Sequence, residues 1–342
     1  MSPRRWLRWL AVRSRSAPCG ALVGLGLFVA GCAGAARGSD RPGPRSGHNL
    51  VFDGAAARTL LLFGYSGAAL PPRSEIWSWK DGAWSVVDRA GPGFRSLAGV
   101  AFDEARARLL LFGGAGPGYR SRYGDTWSWS RDGWIELVAA GPGPLDHHAV
   151  AYDQRRGALI VFGGNDPSGA WVRTTWALDF AGWRIVADST LSPPARAHYD
   201  MVYDATRERI VLFGGLGADR RYLNDTWEWD GVRWQRLDLA APPARTRHRL
   251  AYDTRRRVVV LYGGAGERAP GQTSGFNVLS DLWEFDGLAW RSAGVGAGPG
   301  SRMVHAMTFD AAIGETLLFG GSDGTANRDD LWSWNGARWL RR

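Results

Sequence analysis

Lysine is nearly missing from this chain. Lys80 is the only one in 342 residues, and arginine carries the remaining positive charge. Cysteine is almost as scarce: Cys19 and Cys32 are the only two, both close to the N-terminus. From Ala33 onward there can be no disulfide, no thiolate metal site and no catalytic thiol. An exported fold built from such a chain must hold itself together by packing. No apolar run reaches the length of a comfortable membrane span, since the longest candidate, ALVGLGLFVAGC at 21–32, is too short. A phosphate-binding glycine loop and a nucleophile–base pair are also absent. Acidic residues are missing before Asp40, whereas Arg4, Arg5, Arg8, Arg13 and Arg15 carry more than half of the +9 formal charge. The remainder is spread among many Asp and Glu, so the basic balance does not argue for nucleic-acid binding.

The basic start followed by a short apolar run reads as a secretory signal over residues 1–31. It ends in Val29-Ala30-Gly31-Cys32, which resembles a bacterial lipobox and implies lipidation of Cys32 as the new N-terminus. Ordinary cleavage near Ala33–Ala36 is the alternative. Arg4-Arg5 resembles a twin-arginine signal, although Arg8 stands where an apolar residue is expected. Residues 32–44, rich in Gly, Ala and Pro, are expected to form a flexible lipid-anchored tether. The expected location is the membrane of a bacterial cell envelope.

Tryptophan is what the chain has in excess, with 19 copies. The stretch DTWSW at 125–129 returns as DTWEW at 225–229, DLWEF at 281–285 and DLWSW at 330–334. Aromatic–Asp pairs end at Asp53, Asp103, Asp153, Asp204, Asp253 and Asp310. Each is followed by an apolar run into Gly-Gly (a single Gly in the first copy), then by Trp77, Trp127, Trp176, Trp227, Trp283 or Trp332, and seven residues later by a further Trp. A repeat of about 50 residues signals a propeller or an array. Each copy reads as four short strands: one ending at the aromatic–Asp pair, an apolar strand buried on both faces, the Trp-x-Trp strand, and one starting at the last Trp. Six four-stranded antiparallel sheets in radial order make an all-β, six-bladed β-propeller over 45–342.

The apolar run into Gly-Gly, with two tryptophans at fixed distance beyond it, is similar to the Kelch repeat. The glycine pairs are Gly113-Gly114, Gly163-Gly164, Gly214-Gly215, Gly263-Gly264 and Gly320-Gly321. Blade 1 departs at Gly64-Tyr65, where it reads as lacking the second glycine, and blade 3 departs at Thr174, which replaces the repeated Asp. Trp127 and Trp129, two apart on a strand, share one face, so the repeated tryptophans are expected to fill the gaps between blades.

Two features are left as binding candidates. Trp171 lies in NDPSGAWVRTT, the one tryptophan of this region outside the repeat, and small polar neighbours suggest an exposed loop tip. Arg45, Arg95, Arg196, Arg245 and Arg302 recur seven residues before each aromatic, with Leu145 in blade 3. As a crown at the channel mouth they would attract an anion such as a carboxylate sugar; as repeat residues they would instead bond to neighbouring loop backbone. His48, His148, His248 and His305 follow three residues behind, on separate blades, which disfavours a shared metal.

The Kelch resemblance extends to the central domain of galactose oxidase, but that enzyme's copper site with its Cys–Tyr cofactor has no cysteine to draw on here. Repeated sialidase turns are absent too. The sequence therefore leads to a Kelch lipoprotein, expected to be monomeric and to work without cofactor or metal. It would bind a protein or glycan through the face of long connections between second and third strands. The alternative is a carbohydrate-modifying enzyme, similar to sialic acid mutarotases or epimerases, with Glu75, Glu136, Glu267 and Glu315 as available acids.

Overall fold

The computed structural model describes residues 41–67, 74–137, 140–268, 275–294 and 298–342. The signal segment, Cys32 and most of the tether lie outside them.

Six antiparallel sheets follow one another along the chain. Blade 1 holds β1 (Asn49–Asp53), β2 (Arg58–Leu62), β3 (Ile76–Lys80) and β4 (Ala83–Asp88). Blade 2 holds β5 (Gly99–Asp103), β6 (Arg108–Ala115), β7 (Arg122–Ser130) and β8 (Gly133–Glu136). Blade 3 is formed by β9 (Ala149–Asp153), β10 (Ala158–Phe162), β11 (Thr175–Asp179) and β12 (Gly182–Ala187). In blade 4, a short β13 (Arg196–Ala197) precedes β14 (Asp200–Asp204), β15 (Arg209–Gly217), β16 (Tyr222–Trp229) and β17 (Trp234–Leu237). Blade 5 repeats this with β18 (Arg245–Thr246), β19 (Arg249–Asp253), β20 (Val258–Gly266), β21 (Asn277–Phe285) and β22 (Trp290–Ser292). Blade 6 ends the chain with β23 (Ala306–Asp310), β24 (Glu315–Phe319), β25 (Leu331–Trp334) and β26 (Trp339–Arg341). There is no α-helix among the described residues.

The first strands touch in ring order, β1 to β5, β9, β14, β19, β23 and back to β1. Closure between blades 6 and 1 uses no shared sheet. It rests on hydrogen bonds, among them Gly321 N–H to the Arg45 carbonyl (2.9 Å) and the Thr59 hydroxyl to Asp310 (2.8 Å). Six apolar clusters hold the wheel together, one at each joint; that between blades 3 and 4, for example, contains Phe162, Leu212, Trp229 and Trp234.

The aromatic–Asp pair has a local cause. Each Asp carboxylate accepts the N–H of the residue three further on, as Asp153 does from Arg156 at 3.0 Å, and so closes the turn between first and second strands. An arginine of the same turn also reaches that carboxylate, as at Arg156, Arg207 and Arg256. Arg58, Arg106, Arg108, Arg156, Arg207 and Arg256 are spent on these turns.

Blade 1 corrects one expectation. Its second glycine is present, as Gly64; the residue in the first glycine's place is Phe63, with φ of 61° against 63° for Gly113. A phenylalanine in the left-handed region is unusual and has an identifiable compensation here. At four of the other joints, a Cβ on the first glycine would meet the ring of the next blade's histidine, as Gly113 would meet His148 at 2.9 Å. The next blade after Phe63 carries Ala98 instead of a ring, and Phe63 fills that joint beside Trp134.

Candidate functional site

The arginines expected at the channel mouth are inside the wheel. Arg95, Arg196, Arg245 and Arg302 are all but inaccessible, and each guanidinium bonds a glycine carbonyl together with both oxygens of an aspartate. The partners are Asp125, Asp225, Asp281 and Asp330, at 2.7–3.1 Å. Arg45 is buried likewise, against the Phe63 carbonyl. Burial alone would raise the Asp225 carboxyl, but the hydrogen bonds and charge of Arg196 outweigh it and hold the group below its usual range. These arginines are clamps and cannot crown a ligand site.

The DTWxW motif follows from the clamp. Asp225 also accepts the indole N–H of Trp227 at 2.7 Å. Thr226, facing the other way, accepts the indole N–H of Trp290 from the next blade at 3.0 Å. Trp229, two residues on, is 1 % exposed and fills the joint with blade 3. The most buried tryptophan is thus the second of the pair; Trp127, Trp176, Trp227, Trp283 and Trp332 are half-buried, and only Trp77 of the first set is buried. Blade 3 has exchanged both clamp partners together: Leu145 stands for Arg, Thr174 for Asp, and Trp176 donates to the Thr174 hydroxyl at 3.1 Å.

His48, His148, His248 and His305 are scaffold as well. They pack edge-on against Phe319, Phe112, Phe213 and Tyr262 of the preceding blade. Burial depresses all four, His148 to about 4, and adjacent arginines add to the effect at His48, His248 and His305. The folded protein therefore binds fewer protons than the unfolded chain below pH 6.5, and stability falls as pH drops from about 6.5 towards 4. Melting temperatures should decline steadily from pH 7 to pH 5, well before the clamp carboxylates protonate; a flat profile would contradict the assignment. No group of three or more potential metal ligands occurs among the described residues.

Trp171 also departs from expectation. Its loop is a closed hairpin: Asp166 caps the N–H groups of Ser168 and Ala170, and Trp171 bridges to Asn165. The Trp171 side chain is half-buried, while residues 167–170 at the tip are exposed. Asn165 in turn donates its amide N–H to Asp146 at 3.1 Å.

The position that does reach the axis lies two residues after the clamp arginine: Gly47, Leu97, His147, His198, Arg247 and Val304. All six have positive φ, between 49° and 63°. Their backbones bond head to tail around the axis, Gly47 N–H to Val304 C=O, Leu97 to Gly47, His198 to His147, Arg247 to His198 and Val304 to Arg247, at 2.7–3.3 Å. This diaphragm nearly seals the channel on the long-loop side, where the remaining cavity is about 30 Å³.

The side chains of the diaphragm floor a shallow bowl. The His147 and His198 rings meet edge to face with centroids 3.9 Å apart. Asp146 fixes His147 through Nδ1 at 2.9 Å, and is itself held by Arg122 at 2.8 Å. Tyr119 lies over His147 from the loop above. Burial, then the charges of His147 and Arg247, pushes His198 well below its usual range, so it is neutral at pH 7. Arg247 lies against Phe276 at 4.7 Å, with Tyr222 and Tyr119 near its charge. Lost hydration lowers its pKa, and it has no carboxylate partner among the described residues. Identity at this position changes from blade to blade, while the clamp arginine two residues earlier is replaced only in blade 3. That contrast was the available signal.

A rigid six-bladed wheel with a polar bowl on its loop face is the architecture of a Kelch-type propeller. The family model of the KLHDC2/KLHL20/DRC7 Kelch-repeats domain matches residues 108–286, and the chain belongs to that Kelch-repeat family. Among solved structures it is similar to YjhT, with a TM-score of 0.67 at 15% identity over 89% of this chain and 98% of that one. At that identity the likeness is one of fold. No curated protein matches the chain.

Proposed function

We propose that this protein is a binding module of the cell envelope that captures a carboxylate-bearing glycan or protein in the loop-face bowl. Arg247 carries the reading. It is a half-buried cation on the axis with an aromatic neighbour and no ion pair among the described residues, and a buried charge is ordinarily paired. A ligand carboxylate would supply the missing partner by charge-assisted hydrogen bonds, with His147 and the neutral His198 as polar neighbours. An array of acidic and neutral glycans and peptides tests this. Arg247→Gln should weaken capture of acidic members at least tenfold while thermal stability stays near that of the parent. Equal capture of neutral members, or no effect of the substitution, would refute the proposal.

Membrane attachment through Cys32 belongs to the same reading. Cys32→Ser should release the protein from membranes, and unchanged retention would exclude lipidation there.

The Asp146–His147 pair supports a second reading. A carboxylate on Nδ1 leaves Nε2 of His147 as a base that takes up a proton and gives it back, as acid–base catalysis on an acidic sugar requires. Acceleration of anomer interconversion that His147→Ala abolishes would favour the enzyme; no acceleration by the parent protein would dismiss it.

A further inference from the structure

The other end of the channel is open. Below the diaphragm the first strands enclose a blind cavity of about 680 Å³, which opens only among the tight turns of the opposite face. That volume lies in the range of small-molecule sites. Its walls are apolar, from residues such as Val100, Val150, Val202 and Met307. Its rim is small and mostly uncharged, with Ala57, Ala205, Thr254 and Ala311 at the turns.

The floor differs from the walls. At the first position of β1, β14 and β19 stand Asn49, Asp200 and Arg249, where blades 2, 3 and 6 have Gly99, Ala149 and Ala306. Asp200 accepts the N–H groups of Met201 and Leu250 at 3.0 and 2.8 Å, and lies 3.5 Å from Arg249. Arg249 spends its Nε on the His305 carbonyl at 2.9 Å and keeps 21% of its side chain accessible. The Asn49 amide nitrogen is buried with no hydrogen-bond partner among the described residues. The floor thus offers spare donors, but its net charge is balanced because Asp200 already faces Arg249.

We propose that this blind channel is a second ligand site, distinct from the loop-face bowl, for an elongated molecule with an uncharged hydrogen-bond acceptor at one end and an apolar body. The acceptor would meet Arg249 and Asn49 at the floor, and the body would lie along the valine and methionine walls. A carboxylate head is disfavoured because Asp200 would repel it. This preference is opposite to that of the bowl, so the two sites fail or succeed independently.

Calorimetric titration with octanamide, 1-octanol and octanoate tests the site. Octanamide and 1-octanol should bind saturably with one-to-one stoichiometry, and octanoate at least tenfold more weakly. Thr254→Trp, an exposed rim residue whose indole would obstruct the entrance, should abolish binding, and Arg249→Gln should weaken it at least fivefold. Arg247→Gln, on the far side of the diaphragm, should leave it unchanged. No saturable binding by the parent protein, or binding indifferent to Thr254→Trp, would overturn the proposal.

Discussion

Asp225→Ala should cost about 3–5 kcal/mol of unfolding free energy, the usual penalty for stripping one partner from a buried ion pair. Arg196 has no accessible surface and would be left with a charge that neither water nor another carboxylate can reach. Trp227 would lose its acceptor in the same step. The double substitution Arg196→Leu with Asp225→Thr should recover most of that loss, since a buried pair can be exchanged for apolar packing with little net change. Blade 3 already lives with this solution in Leu145 and Thr174. Chemical denaturation of the parent, single and double variants measures the coupling. A double variant as unstable as the single one would show that the clamp has some other role.

Trp229→Ala should be comparably severe, again about 3–5 kcal/mol, because the indole is buried among Phe162, Leu212 and Trp234 and its removal leaves a cavity that a rigid blade cannot close. Trp227→Ala should cost visibly less, as that side chain is only partly buried. Reversal of the order would mean that the hydrogen bond to Asp225 outweighs burial. Thermal and urea unfolding of both variants settles the ranking.

The wheel was legible in the sequence because its parts recur. A period of about 50 residues, Gly-Gly after five of the six apolar runs and paired tryptophans carry register, strand order and burial together, and each repeats enough times to rule out accident. The clamp was half legible: five arginines and four aspartates recur in step, but nothing along the chain says that Arg196 and Asp225, 29 residues apart, meet inside one blade. Reading the arginines as a crown failed because recurrence is a mark of scaffold in a repeat protein. The bowl was hidden for the converse reason. Its residues are the ones that break the pattern, and His147 lay unnoticed beside the repeat histidine His148. Trp171 also broke the pattern, yet an Asx turn at Asp166 folded it into a hairpin. The blind channel was not legible at all, because its closure depends on backbone bonds among six residues with nothing in common but their conformation.

The six histidines provide the most direct test of the account, since four belong to the scaffold and two to the bowl. In protein labelled at the histidine rings, titration with the tightest acidic member of the array should shift the His147 and His198 resonances in a ¹H–¹³C spectrum. Signals of His48, His148, His248 and His305 should remain in place, and Arg247→Gln should suppress the response. Shifts confined to the four repeat histidines, or a response that survives loss of the Arg247 charge, would contradict the claim that function resides where the repeat varies.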